Sequence, residues 1–186
     1  LTEDEDDETI VEQFRELMID LNSWVRKGCE KAYVTFNIGL SSTKAGRRVC
    51  SSLLDAYAMG DDNGNPFVFP NIVYKVKQDT NKAPKTINYD LYKKALAITA
   101  YHMVPTYFNC DTEANKVADA NKIGIMGCRT RVVNNLYGED SSLLRGNVTG
   151  AKINLPQIAS ACEGNVDIAK TQIREVMLST KDLLIE

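Results

Sequence analysis

The sequence predicts an α/β fold in which strands alternate with crossover helices, and two observations lead to it. Short segments dense in β-branched and aromatic residues, "KAYVTFNIGL" and "FPNIVYKVK", are each followed by a segment whose apolar residues recur at helical spacing. Strands joined in this way lie side by side in one sheet. The composition agrees: 186 residues, 44% hydrophobic and 25% charged, are enough to bury a substantial core.

Residues 1–30 read as an acidic leader and a helix. From Thr9 to Lys27 the residues Ile10, Phe14, Leu17, Met18, Leu21, Trp24 and Val25 recur at helical spacing. Thr9 followed by Glu12 is a capping-box pattern that predicts the helix start, and Gly28 predicts its end.

Residues 31–122 read as a βαβα segment. The first strand lies in "KAYVTFNIGL" and stops at Gly39; a helix from about Ala45 to Met59 turns Val49, Leu53, Leu54 and Ala56 towards a core. "GDDNGNP" then reads as a surface turn, because a calcium loop needs glycine and a carboxylate where this chain has Pro66 and Ile72. A strand in "FPNIVYKVK", a polar loop and a helix over "YDLYKKALAITAYHMV" follow. His102, the one histidine, falls in that helix and receives no role.

Residues 123–133, "IGIMGCRTRVV", read as a loop bounded by a strand-like "TRVV". Residues 134–186 comprise a polar turn, a strand from Ala151 to Leu155 and a C-terminal helix beginning near Pro156, a favourable first-turn position.

Charge and composition remove several function classes. A net charge of -3 and a pI near 5.3 give no dense basic surface for nucleic acid. No apolar run approaches the length of a membrane span, and "LTEDEDDE" is acidic where a secretory leader is basic, so a cytoplasmic location is expected. The five cysteines (Cys29, Cys50, Cys110, Cys128 and Cys162) are widely separated and form no CxxC pair, which predicts reduced thiols and no metal site within the chain. No GxSxG elbow, phosphate loop or GxGxxG turn is present. Only Cys128, between Gly127 and Arg129 and among Ile123, Ile125 and Met126, sits in a setting that suggests a tight, partly exposed bend.

The order of "FNIGL", "FPNIVYKVK", "NYDLYKKAL", "MVPTYFN", "MGCRTRVVNNLYG", "LRGN" and "INLPQIA" resembles the central region of anaerobic, class III ribonucleoside-triphosphate reductases, from about Tyr33 to Ala159. The resemblance implies a fragment of the catalytic domain of a glycyl-radical enzyme, part of a ten-stranded α/β barrel with a finger loop inside it. It implies that Cys128 stands at the finger tip. There it becomes a thiyl radical by hydrogen transfer to a glycyl radical and abstracts the ribose 3′ hydrogen. Met126 and Asn147 of "RGN" would lie in the substrate region with Gly127 and Arg129, while packing for Met126 and a turn after Gly146 for Asn147 stay open as plain readings. Gly127 would supply the conformational freedom that presents the sulfur, and the apolar neighbours would keep the thiol dry. For Arg129 three readings stay open: orienting the finger, attracting a substrate phosphate, or a structural ion pair. Asn154 of "INLP" would make a strand-end contact.

The same resemblance implies a ribonucleoside triphosphate substrate, formate or a dithiol as reductant, a radical-SAM activating enzyme and a homodimer. It also implies allosteric ATP or dNTP sites and a C-terminal zinc site in the full-length chain, with no cofactor bound within this fragment. Without the glycyl-radical element the fragment is expected to be inactive. Departures are Leu144 where the family commonly has glycine before "RGN", Gln157 where it has arginine, and "LSSTK" in place of a threonine-rich turn. A non-catalytic scaffold derived from the fold stays open as an alternative. A pyruvate formate-lyase-like enzyme is disfavoured because Arg129, not a second cysteine, follows Cys128.

Overall fold

A computed structural model describes residues 5–23, 31, 33–116, 119–145 and 151–185. The chain divides into two compact units, Leu1–Leu143 and Leu144–Glu186.

The first unit is built on a three-stranded, all-parallel sheet: β1 (Thr35–Ile38), β2 (Asn71–Val76) and β3 (Thr106–Asn109), in that spatial order. Ahead of β1 lies helix α1 (Asp7–Asn22); α2 (Lys44–Met59) and α3 (Tyr89–His102) are the two crossovers. A short π-helical turn, Gln78–Lys82, occupies part of the loop after β2. The α/β reading therefore holds. β3 is an addition to the predicted βαβα order: its four residues are too few for a periodic signal, and it exists because β2 supplies a ladder for it.

Pairing of Asn37 with Val73, and of Val73 with Thr106, sets which residues share a face. Phe36, Ile38, Ile72, Tyr74, Val76 and Tyr107 belong to the face covered by helices. There Leu54, Leu91, Ala95 and Ile98 bury Tyr74 and Val76, while Met18, Leu53 and Tyr57 bury Ile72. Predicted core residues Leu53, Leu54 and Ala56 are buried, and Val49 is half-buried. Thr35, Asn37, Asn71, Val73, Lys75, Thr106 and Phe108 belong to the other face.

The sequence misplaces both ends of α1. Its N-cap is Asp6, whose carboxylate accepts from the Thr9 amide at 2.8 Å and from the Thr9 hydroxyl at 2.9 Å, so Thr9 stands inside the first turn. An anionic cap also suits the positive end of the helix dipole. The helix stops at Asn22, not Lys27, where Ser23 turns its amide and hydroxyl back onto the Asp20 carbonyl. Trp24, Val25, Gly28 and Cys29 lie outside the described residues.

The α2 helix starts one residue before the predicted position, with Thr43 accepting from the Gly46 amide at 3.0 Å. After it, "GDDNGNP" is a turn organised by Asp61, which accepts from the Asn63 and Asn65 amides. Those bonds, chiefly with Asn65, hold its carboxyl below the ordinary range.

In the second unit the predicted strand Ala151–Leu155 does not form. A strand needs a partner ladder, and Asn154 instead caps α4 (Leu155–Ala161), accepting from the Gln157 amide at 3.1 Å, with Pro156 in the first turn. Asn154 is thus a helix cap and not a strand-end contact. Glu163 and Gly164, both at positive φ, separate α4 from α5 (Val166–Ile185). Among the described residues no helix is long and apolar enough to cross a membrane.

Candidate functional site

Two short antiparallel strands, β4 (Gly124–Ile125) and β5 (Arg131–Val132), form a hairpin in the first unit. The Arg129 amide donates to the Met126 carbonyl at 2.7 Å and the Met126 amide to the Thr130 carbonyl at 3.0 Å. These bonds enclose a three-residue connection, Gly127-Cys128-Arg129, whose third residue takes φ 68°. A left-handed third position is the usual geometry of such a loop. Cys128 therefore occupies the tip of a hairpin.

The hairpin lies on the sheet face that the helices leave open. Ile123, Ile125 and Val133 are buried with Val73, and Phe108 packs against them. The apolar neighbours of Cys128 thus anchor the base of the hairpin; they do not wall in the thiol, which is exposed. Within the described residues, apolar burial lies beneath the finger and not at its tip.

Polar residues of the open face hold the hairpin by its main chain. Asn37 donates from Nδ2 to the Ile125 carbonyl and accepts from the Ile125 amide at Oδ1, both at 2.9 Å. Asn71 Nδ2 donates to the Gly127 carbonyl at 3.0 Å. The Lys75 ammonium donates to the Ala120 carbonyl at 2.9 Å and to the Ile123 carbonyl. Lys75 is only 6% exposed, and burial pushes its pKa down.

Arg129 Nη2 donates to Thr106 Oγ1 at 3.3 Å. This tie to β3 fits the orienting reading of Arg129.

Gly127 is required by space and not by φ. A Cβ there would stand 2.8 Å from the Tyr33 carbonyl oxygen and 3.2 Å from the Tyr33 carbonyl carbon and Cβ. The left-handed residue of the turn is Arg129, so the reason the sequence suggests for this glycine is corrected. Met126 closes the turn through its amide, and its side chain is half-buried. Asn147 lies outside the described residues.

The sulfur of Cys128 is 3.1 Å from Thr130 Oγ1. That hydrogen bond, with the Thr130 amide, holds the thiol below its ordinary range. The other described thiols differ. Cys50 is buried and pushed up to about 11, and burial raises Cys110 as well. Cys128 is the exposed one of the four described free cysteines. Among the described residues no three His, Cys, Asp or Glu side chains gather closely enough to hold a metal ion.

Sequence reasoning missed Asn37, Asn71, Lys75, Thr106 and Thr130. A signal existed for those on strands. Parallel strands are usually buried on both faces and apolar throughout, yet "TFNI" places Thr35 and Asn37, and "NIVYKV" Asn71 and Lys75, on one face; Asn37, Asn71 and Lys75 find main-chain partners there, whereas Thr35 Oγ1 is buried without one among the described residues.

Comparison with known proteins adds an independent finding. A family model described as anaerobic ribonucleoside-triphosphate reductase matches residues 2–186. The chain is 27% identical over 176 residues to the anaerobic ribonucleoside-triphosphate reductase of Haemophilus influenzae, covering 92% of this chain and 24% of that protein. It is 30% identical over 155 residues to the proteins of the same name from Escherichia coli and Salmonella typhimurium, covering 82% of this chain and 22% of each. The aligned part thus spans less than a quarter of the length of these relatives.

Proposed function

This chain belongs to the anaerobic ribonucleoside-triphosphate reductase family, and on that premise we propose that Cys128 is the hydrogen-abstracting thiol of a longer reductase that makes deoxyribonucleoside triphosphates from ribonucleoside triphosphates. The observation that carries the reading is the placement of Cys128: an exposed thiol at the tip of a hairpin whose base is buried on the sheet.

In this reading a glycyl radical of the longer protein supplies the unpaired electron by accepting the thiol hydrogen. The Cys128 sulfur then takes the 3′ hydrogen of the ribose and re-forms its S–H bond. The 2′ hydroxyl, protonated, leaves as water. A dithiol, oxidised to a disulfide, provides two electrons and two protons, or formate, oxidised to carbon dioxide, provides two electrons and one proton with the second taken from solvent, and Cys128 returns its hydrogen to C3′. Sulfur suits the task because an S–H bond is close in strength to the ribose C–H bond, so the transfer runs in both directions. A hydroxyl in its place would make the first step far more costly. Thr130 orients the sulfur, and the anchored hairpin holds it near contact distance from its target, where orientation is worth orders of magnitude in rate.

The parallel sheet is, in this proposal, part of the ten-stranded barrel, with its polar face and the finger inside. Met126 and Asn147 border the substrate. Zinc and allosteric ATP or dNTP sites, a radical-SAM activating enzyme, a homodimeric partner and a cytoplasmic setting belong to the longer protein. The test is Cys128→Ala in the full-length, activated protein: deoxynucleotide formation should vanish while the glycyl-radical spectrum persists. Undiminished production would overturn the assignment.

A further inference from the structure

The hairpin that carries Cys128 has little to stabilise it by itself. Its ladder comprises two residue pairs, and an isolated two-stranded ribbon is marginal in water. Its apolar contact comes from Ile123, Ile125 and Val133, all at its base. Burial of this kind is non-directional, so it opposes detachment without fixing the height or tilt of the tip. Direction must come from hydrogen bonds.

Three of the side chains that supply them, Asn37, Asn71 and Lys75, form an ordered series. Along β2, Lys75, Val73 and Asn71 are spaced two residues apart and lie on one face; along the finger, Ile123, Ile125 and Gly127 have the same spacing. Lys75 bonds Ile123, Val73 packs in the cluster with Ile125 while its register partner Asn37 bonds Ile125 twice, and Asn71 bonds Gly127. The first limb of the finger therefore runs antiparallel to β2, matched step for step from base to tip. Every bond ends on a main-chain atom, and the last is made to the residue directly before Cys128.

We infer that Asn37, Asn71 and Lys75 are positioning residues for the reaction, setting the location of the Cys128 sulfur through the finger backbone without touching substrate. This rests on the reading that Cys128 is the reacting thiol. It assigns a role to three side chains that lie more than 50 positions before the cysteine in sequence. Asn71 is the most informative of them. Its one bond acts nearest the thiol, and its loss removes little of the packing that holds the domain together.

The test uses the full-length, activated reductase. Asn71→Asp keeps the volume but removes the donor, and Asn37→Leu keeps the approximate shape but removes both bonds. Each is expected to lower kcat by about tenfold or more, in line with the cost of misplacing a reacting group. KM should stay within about twofold, since no substrate contact is lost, and the glycyl-radical signal should be unchanged. Hydrogen exchange of the Ile125 amide, read by mass spectrometry over the finger peptide, should accelerate in Asn37→Leu. Wild-type kcat in Asn71→Asp and Asn37→Leu overturns the inference, whether or not exchange accelerates. So does a rise in KM with kcat preserved. If Lys75→Met fails to fold, the two asparagine variants decide the matter. Full turnover by Cys128→Ala would instead defeat the functional reading itself, whereas an inactive Cys128→Ala beside a wild-type Asn71→Asp defeats only the positioning role.

Discussion

Replacing Gly127 by alanine tests how closely the finger tip is located. The new Cβ would stand 2.8 Å from the Tyr33 carbonyl oxygen. That neighbour is backbone and cannot swing aside. The Asn71 amide binds the Val34 carbonyl at 2.9 Å, and the Tyr33 ring packs on Phe69 with centroids 4.8 Å apart. The gap must open by about 0.6 Å to reach the 3.4 Å of ordinary contact, and the tip is the side free to move. A lift of that size carries the Asn71–Gly127 bond from 3.0 Å past the useful hydrogen-bonding range. The loss is roughly 0.5–1.5 kcal/mol if the tip lifts, and about 1–3 kcal/mol if the crowding is endured in place. The effect on stability is therefore modest. The effect on rate is larger, because a displacement of more than half an ångström at a reacting atom costs on the order of tenfold. Steady-state kinetics of Gly127→Ala in the full-length enzyme, paired with thermal melting, should show a small fall in Tm and about a tenfold fall in kcat. Wild-type kcat in a protein that melts normally would refute the argument that Tyr33 sets the position of the tip.

Two further outcomes concern the thiols. Thr130→Val removes the hydroxyl 3.1 Å from Cys128, so the thiol pKa should rise and alkylation of Cys128 near neutral pH should slow; Thr130→Ser should restore it, and equal rates in all three proteins would count against the hydrogen bond. Buried Cys50 holds its proton more tightly when folded, up to about 11 against an ordinary 9.0. Between those values the folded state binds more protons than the unfolded, so stability falls as pH rises through the window. Urea melts on either side of it should show a smaller decline for Cys50→Ala, and an identical decline would contradict the burial argument.

Elements with redundant local signals were legible in the sequence. The α2 helix had an apolar stripe and a glycine beyond its end, and it starts within a residue of the expected place. β2 was legible because Ile72, Val73 and Tyr74 form a β-branched and aromatic run directly after Pro70 and Asn71. α1 was harder, since Asp6 and Thr9 are both competent caps and only their mutual hydrogen bonds show which one serves. β3 and the expected strand at Ala151–Leu155 show the opposite limit. Four residues became a strand because β2 offered a ladder, and five did not because their asparagine capped a helix instead. At the site, Cys128 was conspicuous beside its glycine. For the residues that hold its hairpin only the polar positions on their strands were a signal, and a hydrogen bond such as that between Asn37 and Ile125, spanning 88 positions, leaves the partner unmarked in the sequence.

That span also bears on the order in which the molecule is made. The strands that form the receiving face end at Asn109, and the hairpin begins at Gly124. During synthesis the chain emerges from its N-terminus, so the whole receiving surface has left the ribosome before any residue of the finger does. Cys128 is thus added to three strands that are already present in the growing chain.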